Sequence, residues 1–416
     1  MSTNYQNLFK EIVTILRRDY AGRDIMGDRF SPRYYTQAIG QAWNDSKLDD
    51  LLFLRYVNQM LACIGDRRLS LDLRPSEDYT PSSPGFYTRR YGDDLFVTAV
   101  TGETRLSVGD RIVSVNGGSP AKHKGIIQKD FFRGSVPERE DWNGLLKMAD
   151  YIDVIHGDGS EERIFLQKFP PVPPELTPLF SLLEDGVAYM RPGPFDPSAD
   201  TAGFVASQEK ELKTCRALIL DLRNARGENE EDIFPLLPWL CREEQPLSAL
   251  VDEPISVNYT RLNCILKAAR LQDIPEAADY VQELVARADS GFVEESFSEE
   301  DDPVQALAPE KVIVLTDTWC RDAGETLVRA ARRAGATILG RPTLGTLSTL
   351  GEVRYELNEC FILTWPTAVS NDALQGLILP GDGIAPDEYI PWTPAECSRD
   401  LLWEAALAYI HNKKVN

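Results

Sequence analysis

The densest group of side chains that could do chemistry lies at residues 320–325, directly after the run KVIVLTD at 311–317. Cys320 precedes a predicted helix start by two positions, and a helix N-terminus can lower the pKa of a thiol. A cysteine nucleophile normally also needs a histidine base. The chain has only three histidines, His123, His156 and His411, and none stands in a recognisable motif. We therefore predict a buried, unreactive Cys320, and a catalytic thiolate stays the alternative.

Two acidic residues of the same segment have the spacing of a helix start. The pair Asp322-x-x-Glu325 precedes apolar residues at helical spacing, which is typical of a capping box with Asp322 as N-cap. An ionised carboxylate at the positive end of a helix is a poor nucleophile toward an amide. The residue types alone therefore predict a structural role for Asp322.

No stretch of the chain has the pattern of a metal, phosphate or dinucleotide site. The seven cysteines lie far apart, are odd in number and form no CxxC pair, so that neither a zinc site nor a disulfide framework is expected. We predict a protein without cofactor or metal that resides in a reducing compartment.

Composition is that of an ordinary globular protein, with 43% hydrophobic and 26% charged residues. The formal charge of −21 would repel phosphate backbones and anionic lipid surfaces, which argues against nucleic acid and membrane partners. No run approaches the roughly 20 apolar residues that span a bilayer. Charged residues interrupt the apolar ones at the amino terminus, which predicts an amphipathic helix and not a signal peptide. We expect a cytoplasmic protein, and oligomeric state cannot be predicted.

Three successive regions are expected. Apolar residues at three-to-four spacing predict a helical region at 1–80. Short alternating runs with Gly-rich turns predict a small β-rich domain at 84–169. Two nearly continuous apolar runs, at 217–224 and 311–317, are typical of buried parallel strands, so that 178–416 is predicted to be an α/β core with crossover connections.

Loop-forming segments separate or interrupt these regions. The Pro/Ser/Gly-rich stretch at 75–85 and the Pro-rich stretch at 169–178 predict linkers. The acidic stretch VEESFSEEDD at 293–302 predicts a solvated loop.

The strongest local motif is LSVGDRIVSVNGGSPA at 106–121, in which a Gly-Asp turn leads into a strand that ends in Asn-Gly. It resembles the signature of PDZ domains. Such domains add an extended peptide to a sheet edge as a strand and bind its terminal carboxylate through backbone amides. The resemblance places the carboxylate-binding loop at Gly85, Phe86 and Tyr87.

Three further segments, in the same order along the chain, resemble motifs of the C-terminal processing serine peptidases. They are DGVAYMRPGPFD (185–196), RALILDLRNARGENEED (216–232) and GLILPGDGIAPDEYIPWTPAE (376–396). Together with the helical and PDZ-like regions, the resemblance spans nearly the whole chain. It implies a peptidase core of the crotonase-like (ClpP/crotonase) α/β fold, with tricorn-core-like features.

The same resemblance places the catalytic dyad on residues that cannot act as one. The nucleophilic serine of the family falls on Asp322, and its lysine base falls on Thr346, whose hydroxyl cannot accept a proton near neutral pH. The histidine that tricorn-like members supply is also missing, because IGDRRLSL at 64–71 contains none. The oxyanion-hole positions fall on Gly227 and Ala323.

We therefore predict a homologue of C-terminal processing peptidases that binds peptides or protein C-termini without cleavage. One alternative is an active peptidase with a relocated nucleophile, at Cys320 or Ser348. Another is a structural or assembly protein that has no peptide ligand.

Overall fold

A computed structural model of the chain describes residues 4–74, 82–127, 136–172, 176–196, 199–296 and 303–411. Its α-helices over these residues are α1 (Tyr5–Arg18), α2 (Pro32–Asn44), α3 (Asp50–Ile64), α4 (Pro120–Ile126), α5 (Trp142–Leu146), α6 (Thr201–Ser207), α7 (Glu209–Leu212), α8 (Leu247–Val251), α9 (Arg261–Leu271), α10 (Ala278–Arg287), α11 (Ala323–Arg333), α12 (Asn371–Leu374) and α13 (Leu401–Ile410).

The strands over the same residues are β1 (Ser70–Leu73), β2 (Phe86–Tyr91), β3 (Asp94–Val100), β4 (Arg111–Val115), β5 (Tyr151–Ile155), β6 (Glu161–Phe165), β7 (Leu179–Leu182), β8 (Val187–Arg191), β9 (Ala217–Asp221), β10 (Gln245–Pro246), β11 (Ile255–Tyr259), β12 (Gly291–Glu295), β13 (Pro303–Val304), β14 (Lys311–Thr316), β15 (Thr337–Gly340), β16 (Thr349–Glu356), β17 (Phe361–Ser370) and β18 (Glu388–Tyr389).

Contacts group these elements into two compact units, neither of which is continuous in sequence. The first unit comprises 1–77, 252–299 and 345–383, and the second comprises 78–251, 300–344 and 384–416. The predicted helical region therefore shares a unit with two segments from the second half of the chain. The β-rich domain shares the other unit with the parallel strands. The division into three successive domains stays a prediction.

In the first unit, helices α1 and α3 pack on a sheet in which β17 pairs with β1, β11 and β16, and β12 pairs with β11. The amphipathic pattern of α1 is confirmed, because Leu8, Ile12 and Leu16 are all buried. Helix α3 ends at Gly65, whose φ of 86° is that of a left-handed C-cap. All ten residues of β17 are buried, as expected for a central strand covered on both faces.

The β-rich domain of the second unit is an antiparallel sheet of order β2-β3-β4-β5-β6 around its own apolar core. Its tight turn at Asn116-Gly117 has φ values of 47° and 77°, and the backbones of Val115 and Gly118 bond to each other in both directions across it. Both central residues thus have the left-handed conformation of a type I′ turn, for which Asn-Gly is the preferred sequence. The strand therefore ends in the predicted Asn-Gly turn, which leads into α4.

The rest of the second unit contains a six-stranded sheet of order β18-β15-β14-β9-β8-β7. Neighbouring strands from β18 to β8 are parallel, and β7 is an antiparallel edge strand. The predicted pairing of the two apolar runs is confirmed, since Val312 to Leu315 lie beside Leu218 to Asp221. Because the strands are parallel, the residues that follow β8, β9, β14 and β15 meet at one edge of the sheet.

The prediction for the acidic stretch is wrong in its first part. Val293 to Glu295 belong to β12, which pairs along its whole length with β11. The two strands flank α9 and α10 along the chain, so that the stretch belongs to a folded insertion. The charge pattern alone does not indicate this pairing of β12 with β11. Residues 297–302 of the acidic stretch lie outside the described residues, as do 75–81 and 173–175 of the predicted linkers.

No helix among the described residues combines the length and apolar character that crossing a bilayer would require.

Candidate functional site

Two turns at the carboxyl edge of the parallel sheet are tied to one side chain. Asp317 follows β14 and is buried, and its Oδ1 accepts the backbone N–H of Asn224, at 3.0 Å, and that of Trp319, also at 3.0 Å. Asn224 lies in the turn after β9 and has a φ of 61°. The carboxylate thereby fixes the turn after β9 against the turn that leads into α11.

Asp322 is the residue on which α11 begins, and its backbone is strained. Its φ of 54° and ψ of −126° lie in a region that side-chain-bearing residues rarely adopt, which costs roughly 1–3 kcal/mol. A strand, a strained residue and a helix in this order form the arrangement in which many hydrolases expose their nucleophile. Here that position carries a carboxylate, which is 11% exposed and lies 3.6 Å from the guanidinium of Arg321.

The prediction of a capping box at this helix is wrong. Asp322 occupies the N-cap position, but its side chain makes no capping hydrogen bond, because the positive φ turns it away from the first amides. Glu325 is completely buried, and its carboxylate accepts a hydrogen bond from the hydroxyl of Thr343. The tertiary contact with the segment after β15 has replaced the local cap.

The two predicted oxyanion-hole residues are brought together. The backbone N–H of Ala323 donates to the carbonyl of Gly227 at 3.0 Å, so that this amide does not face an incoming ligand. Gly227 has a φ of 130°, and a Cβ there would lie 1.7 Å from the carbonyl oxygen of Phe195, so only glycine fits. The neighbouring Glu228 is exposed.

Cys320 is fully buried, and its environment suppresses the thiolate. Burial, followed by the charges of Glu325, Asp317, Asp322 and Asp221, raises the pKa of the Cys320 thiol well above its usual value. A protonated, buried thiol is neither nucleophilic nor accessible.

The histidines do not supply a base for this thiol. The ring of His123 contacts the carbonyl of Val115 at 3.0 Å, and that of His156 contacts Asp110 at 2.9 Å. His411 contacts Asp185 at 2.6 Å. Each imidazole is therefore engaged in a separate local contact.

Thr346 and Ser348, the other two candidate positions, are buried residues of the first unit. The carbonyl of Thr346 accepts a hydrogen bond from Arg68 Nε at 3.2 Å. The hydroxyl oxygen of Ser348 has no hydrogen-bond partner among the described residues, so nothing there activates it as a nucleophile.

Arg68 belongs to the segment in which the resemblance looks for a histidine. It pairs with Glu352 at 3.0 Å, while the carboxylate of neighbouring Asp66 accepts hydrogen bonds from Tyr20 and Thr349. The segment forms a buried polar network instead of presenting a base.

The predicted carboxylate-binding loop is closed by the chain itself. The N–H of Gly85 donates to the hydroxyl of Ser83 at 3.1 Å, and a Cβ at Gly85 would lie 2.5 Å from the ring of Phe169. Phe86 is fully buried, and the hydroxyl of half-buried Tyr87 donates to the carbonyl of Val172. The Gly85 amide is thus already engaged.

A polar cavity of about 280 Å³ lies within the second unit and was not predicted. Four of its lining residues end or follow neighbouring parallel strands: Arg191 on β8, Asp221 on β9, Asp317 after β14 and Arg341 after β15. Carboxyl ends of parallel strands are the usual place for ligand sites in open α/β sheets. The charged residues at the strand ends were the sequence signal that could have located it.

Several charges of this cavity are fully paired. Arg223 bonds both oxygens of Asp221, at 2.9 and 2.6 Å, and both oxygens of Asp400, each at 2.8 Å. The hydroxyl of Tyr189 also donates to Asp221 at 2.6 Å, and burial, followed by the Asp221 charge, raises the pKa of Tyr189. This group is a structural network that holds the floor of the cavity.

Other cations of the cavity are incompletely paired. Arg341 is 3% exposed and bonds to Glu396. Its Nε has no hydrogen-bond partner among the described residues and forms only a longer ion pair, at 3.9 Å, with Glu138. Arg89 and Arg191 each make a single hydrogen bond, to the carbonyls of Glu138 and Thr177 respectively. The arrangement can attract a small anion.

No group of three or more His, Cys, Asp or Glu side chains within the described ranges is placed to hold a metal ion.

Comparison with known proteins gives a family similarity over part of the chain and a shared fold. Residues 186–390 match the sequence profile of peptidase family S41. No curated protein matches the chain in sequence. Mature CPAF in complex with lactacystin has a TM-score of 0.65 at 12% identity, over 98% of this chain and 97% of that chain. A point mutant of CPAF has a TM-score of 0.69 at 12% identity, over 99% and 98% of the two chains.

A putative peptidase from Parabacteroides merdae has a TM-score of 0.50 at 14% identity, over 98% of this chain and 97% of that chain. Identities this low establish a shared fold and nothing further. The expected α/β peptidase core with an attached β-rich domain is thereby confirmed.

Proposed function

We propose that this chain, which carries a peptidase family S41 domain at residues 186–390, holds an extended peptide or a protein C-terminus without cutting it. The observation that carries the proposal is Asp322, an acidic residue on the strained turn where the family resemblance expects a nucleophilic serine. The second position of the dyad, Thr346, has no basic group to offer.

Electrostatics at the start of α11 support the absence of cleavage. Peptide hydrolysis develops negative charge on the carbonyl oxygen, which an active site stabilises with directed N–H donors. Asp322 places a negative charge beside that position, and the Ala323 amide is engaged by Gly227. Both features would disfavour negative charge on the carbonyl oxygen of a peptide at this position.

A relocated nucleophile finds little support in the same region. The Cys320 thiol is buried and its pKa is raised, and Ser348 has no neighbouring base in its contacts. The alternative of a catalytic cysteine or serine is therefore the weaker one.

Binding is supported by two cavities of the second unit that share Arg89 and Trp392. The second, of about 210 Å³, is lined in part by Tyr91, Tyr389 and Pro391. Aromatic side chains beside charged ones suit a peptide segment, which carries apolar side chains on a polar backbone. We extend the proposal to a PDZ-like role for the β-rich domain in presenting that segment.

The cellular setting belongs to the same proposal. All seven cysteines are free, which is compatible with a reducing compartment such as the cytoplasm.

The test uses a mixture of N-acetylated peptides of random sequence and free C-terminus, incubated with the full chain. Mass spectrometry of the protein fraction after gel filtration detects bound peptides, and the same method detects new fragments. We expect retained, intact peptides.

New fragments would overturn the proposal, and two variants would identify their origin. Cys320→Ala or Ser348→Ala would abolish such cleavage if that residue were the nucleophile, and Cys215→Ala removes another buried thiol as a matched control. Absence of any retained peptide would favour a structural or assembly role.

A further inference from the structure

We propose that the cavity at the carboxyl edge of the parallel sheet receives the C-terminal carboxylate of the bound peptide, through Arg89, Arg191 and Arg341. The inference rests on the proposed function, because it names the chemical group by which the peptide is held. We call this space the arginine cavity.

The hydrogen-bonding capacity of the three arginines is largely unused. A guanidinium has five N–H donors, yet Arg89 and Arg191 each donate to one carbonyl and form no ion pair within the described residues. Arg341 is nearly fully buried, and its Nε lacks a hydrogen-bond partner there. A buried polar group without a hydrogen-bond partner destabilises the fold, and an incoming acceptor would remove this cost.

The pKa of Arg89 is shifted by this environment. Burial lowers the pKa of its guanidinium, and the positive charge of Arg341 acts in the same direction, while the charges of Asp317, Glu138 and Glu396 act in the opposite direction. The group remains charged at physiological pH because arginine does not deprotonate in proteins. An added negative charge would therefore be stabilised by two cations that now repel each other.

The carboxylates of the cavity compensate for only part of this positive charge. Asp221 is saturated by Arg223, and Glu396 is bonded to Arg341. Asp317 uses one oxygen to accept two backbone amides. The negative groups are thus committed to holding the structure together.

The donor geometry favours a carboxylate over an anion of higher charge. Asp400, which is bonded to Arg223, and Glu138, which lies 3.9 Å from the Nε of Arg341, already balance much of the positive charge around the cavity. A single negative charge is therefore a better match than a phosphate dianion. Planar guanidinium groups also match the two oxygens of a carboxylate.

The neighbouring cavity indicates that the carboxylate belongs to a peptide. It shares Arg89 and Trp392 with the arginine cavity and continues past the exposed side chains of Tyr91 and Tyr389. A terminal carboxylate in one cavity would place the preceding residue in the other. A free anion would leave the aromatic cavity without an occupant.

The alternative place for the carboxylate is the predicted PDZ loop, and its contacts argue against it. The Gly85 amide is bonded to Ser83, and Phe169 packs against the glycine. The adjacent strand β2 is also covered, because Arg90 bonds both oxygens of Glu140, each at 2.7 Å. Binding there would first have to break these contacts.

The experiment measures binding of N-acetyl-trialanine to the full chain by the arginine Nε–H signals in a nitrogen–proton correlation spectrum. Spectra of Arg89→Gln and Arg191→Gln assign the signals. The probe is compared with its C-terminal amide, with a peptide amide ending in aspartate, and with inorganic phosphate.

We expect the free acid to shift the signals of Arg89, Arg191 and Arg341, and the amide to bind about tenfold more weakly or worse, since at least one charge-assisted hydrogen bond is lost. Each Arg→Gln variant should weaken the acid by a similar factor. Arg354→Gln removes an exposed arginine of β16 and is the matched control, which should bind as the parent does.

Equal binding of acid and amide would overturn the proposal without any variant having to fold. Stronger binding of phosphate, or of the aspartate-terminated amide, would also overturn it, by assigning the site to another anion. Retention of random peptides together with equal acid and amide affinity would remove this inference and leave the proposed function intact. If the acid shifts the arginine signals but no longer peptide is retained, the carboxylate site would stand and the proposed function would fall.

Discussion

The start of helix α11 and the arginine cavity lie at the same edge of the parallel sheet but carry opposite charge. At the helix start, where backbone amides supply partial positive charge, the chain places Asp322. In the cavity, cations remain that the surrounding carboxylates do not satisfy. The arginines that would attract a negative group therefore lie at the same edge as the expected nucleophile position, but not at that position.

The difference also separates two kinds of constraint. The backbone at the helix start is strained and tightly packed, as at Asp322 and Gly227, although its chemistry is unsuited to catalysis. The cavity is lined by side chains on or after several strands, and one of its lining residues, Asn224, has a φ of 61°. The start of α11 has the backbone geometry of a nucleophile turn, whereas the arginine cavity has side chains that could bind an anion.

The largest effect should come from disturbing the packing at the helix start. Gly227→Ala would place a Cβ 1.7 Å from the Phe195 carbonyl, and we expect the free energy of unfolding to fall by about 4 kcal/mol or more. Gly335→Ala is the control, because Gly335 has a φ of 86° but nothing within 4 Å of a Cβ. Equal losses in urea denaturation would show that backbone conformation, and not the contact, explains the effect.

Breaking the paired charges of the cavity should cost nearly as much. Arg223→Met leaves Asp221 buried without its cation, and we expect a loss of about 3 kcal/mol at pH 7. Arg163→Met breaks an exposed pair with Asp153 and should cost less than about 1 kcal/mol. Guanidinium denaturation of both variants tests the difference.

The loss in Arg223→Met should depend on pH. Burial acts to raise the pKa of Asp400, but the hydrogen bond and charge of Arg223 outweigh it, so that the pKa lies below its usual value. A lowered pKa stabilises the fold above the usual value, and the benefit disappears as pH falls through the lowered one. The gap between parent and variant should therefore narrow below about pH 4. A constant gap would mean that packing, not charge, is lost.

Alkylation tests whether Cys320 is as inert as its burial indicates. At pH 8, iodoacetamide should modify exposed Cys63 about 100-fold faster than Cys320 in the folded protein, because only exposed thiolates react. Mass spectrometry of digests at increasing times gives both rates. Comparable rates would reopen the possibility of a thiol nucleophile at the helix start.

The smallest effect is a gain in stability. Asp322→Gly should raise the free energy of unfolding by about 1 kcal/mol, since glycine adopts the observed φ and ψ without strain. Asp93→Gly, in an exposed turn of ordinary φ, should instead lower it by a few tenths of a kcal/mol to about 1 kcal/mol. A decrease for Asp322→Gly would mean that the carboxylate makes contacts worth more than the strain it imposes.

The sequence predicted those elements whose signal is local and periodic. The buried strands β9 and β14, helix α1 and the Asn116-Gly117 turn follow from apolar periodicity and turn residues, and all are found. The capping box failed because Glu325 is drawn into a buried contact with Thr343, a residue 18 positions away that a local pattern does not include.

The arginine cavity could not be predicted as a site because its residues become neighbours only through the order of the strands. Arg191 and Arg341 are far apart in sequence, and nothing near either one indicates the other. The resemblance predicts the site at the two positions of the dyad, and the residues there are unsuited to act as nucleophile and base. Strand-end charges, compared once a parallel sheet was predicted, would have provided the missing signal.

One oxygen of Asp317 accepts hydrogen bonds from both Asn224 and Trp319, and this shared acceptor couples the local opening of two turns. Because both turns are anchored to the same atom, the floor of the cavity and the approach to α11 cannot open independently. The two amides should therefore exchange with deuterium at related rates. Occupation of the cavity should slow the exchange of both amides, so that ligand binding would be detected at the turn that leads into α11.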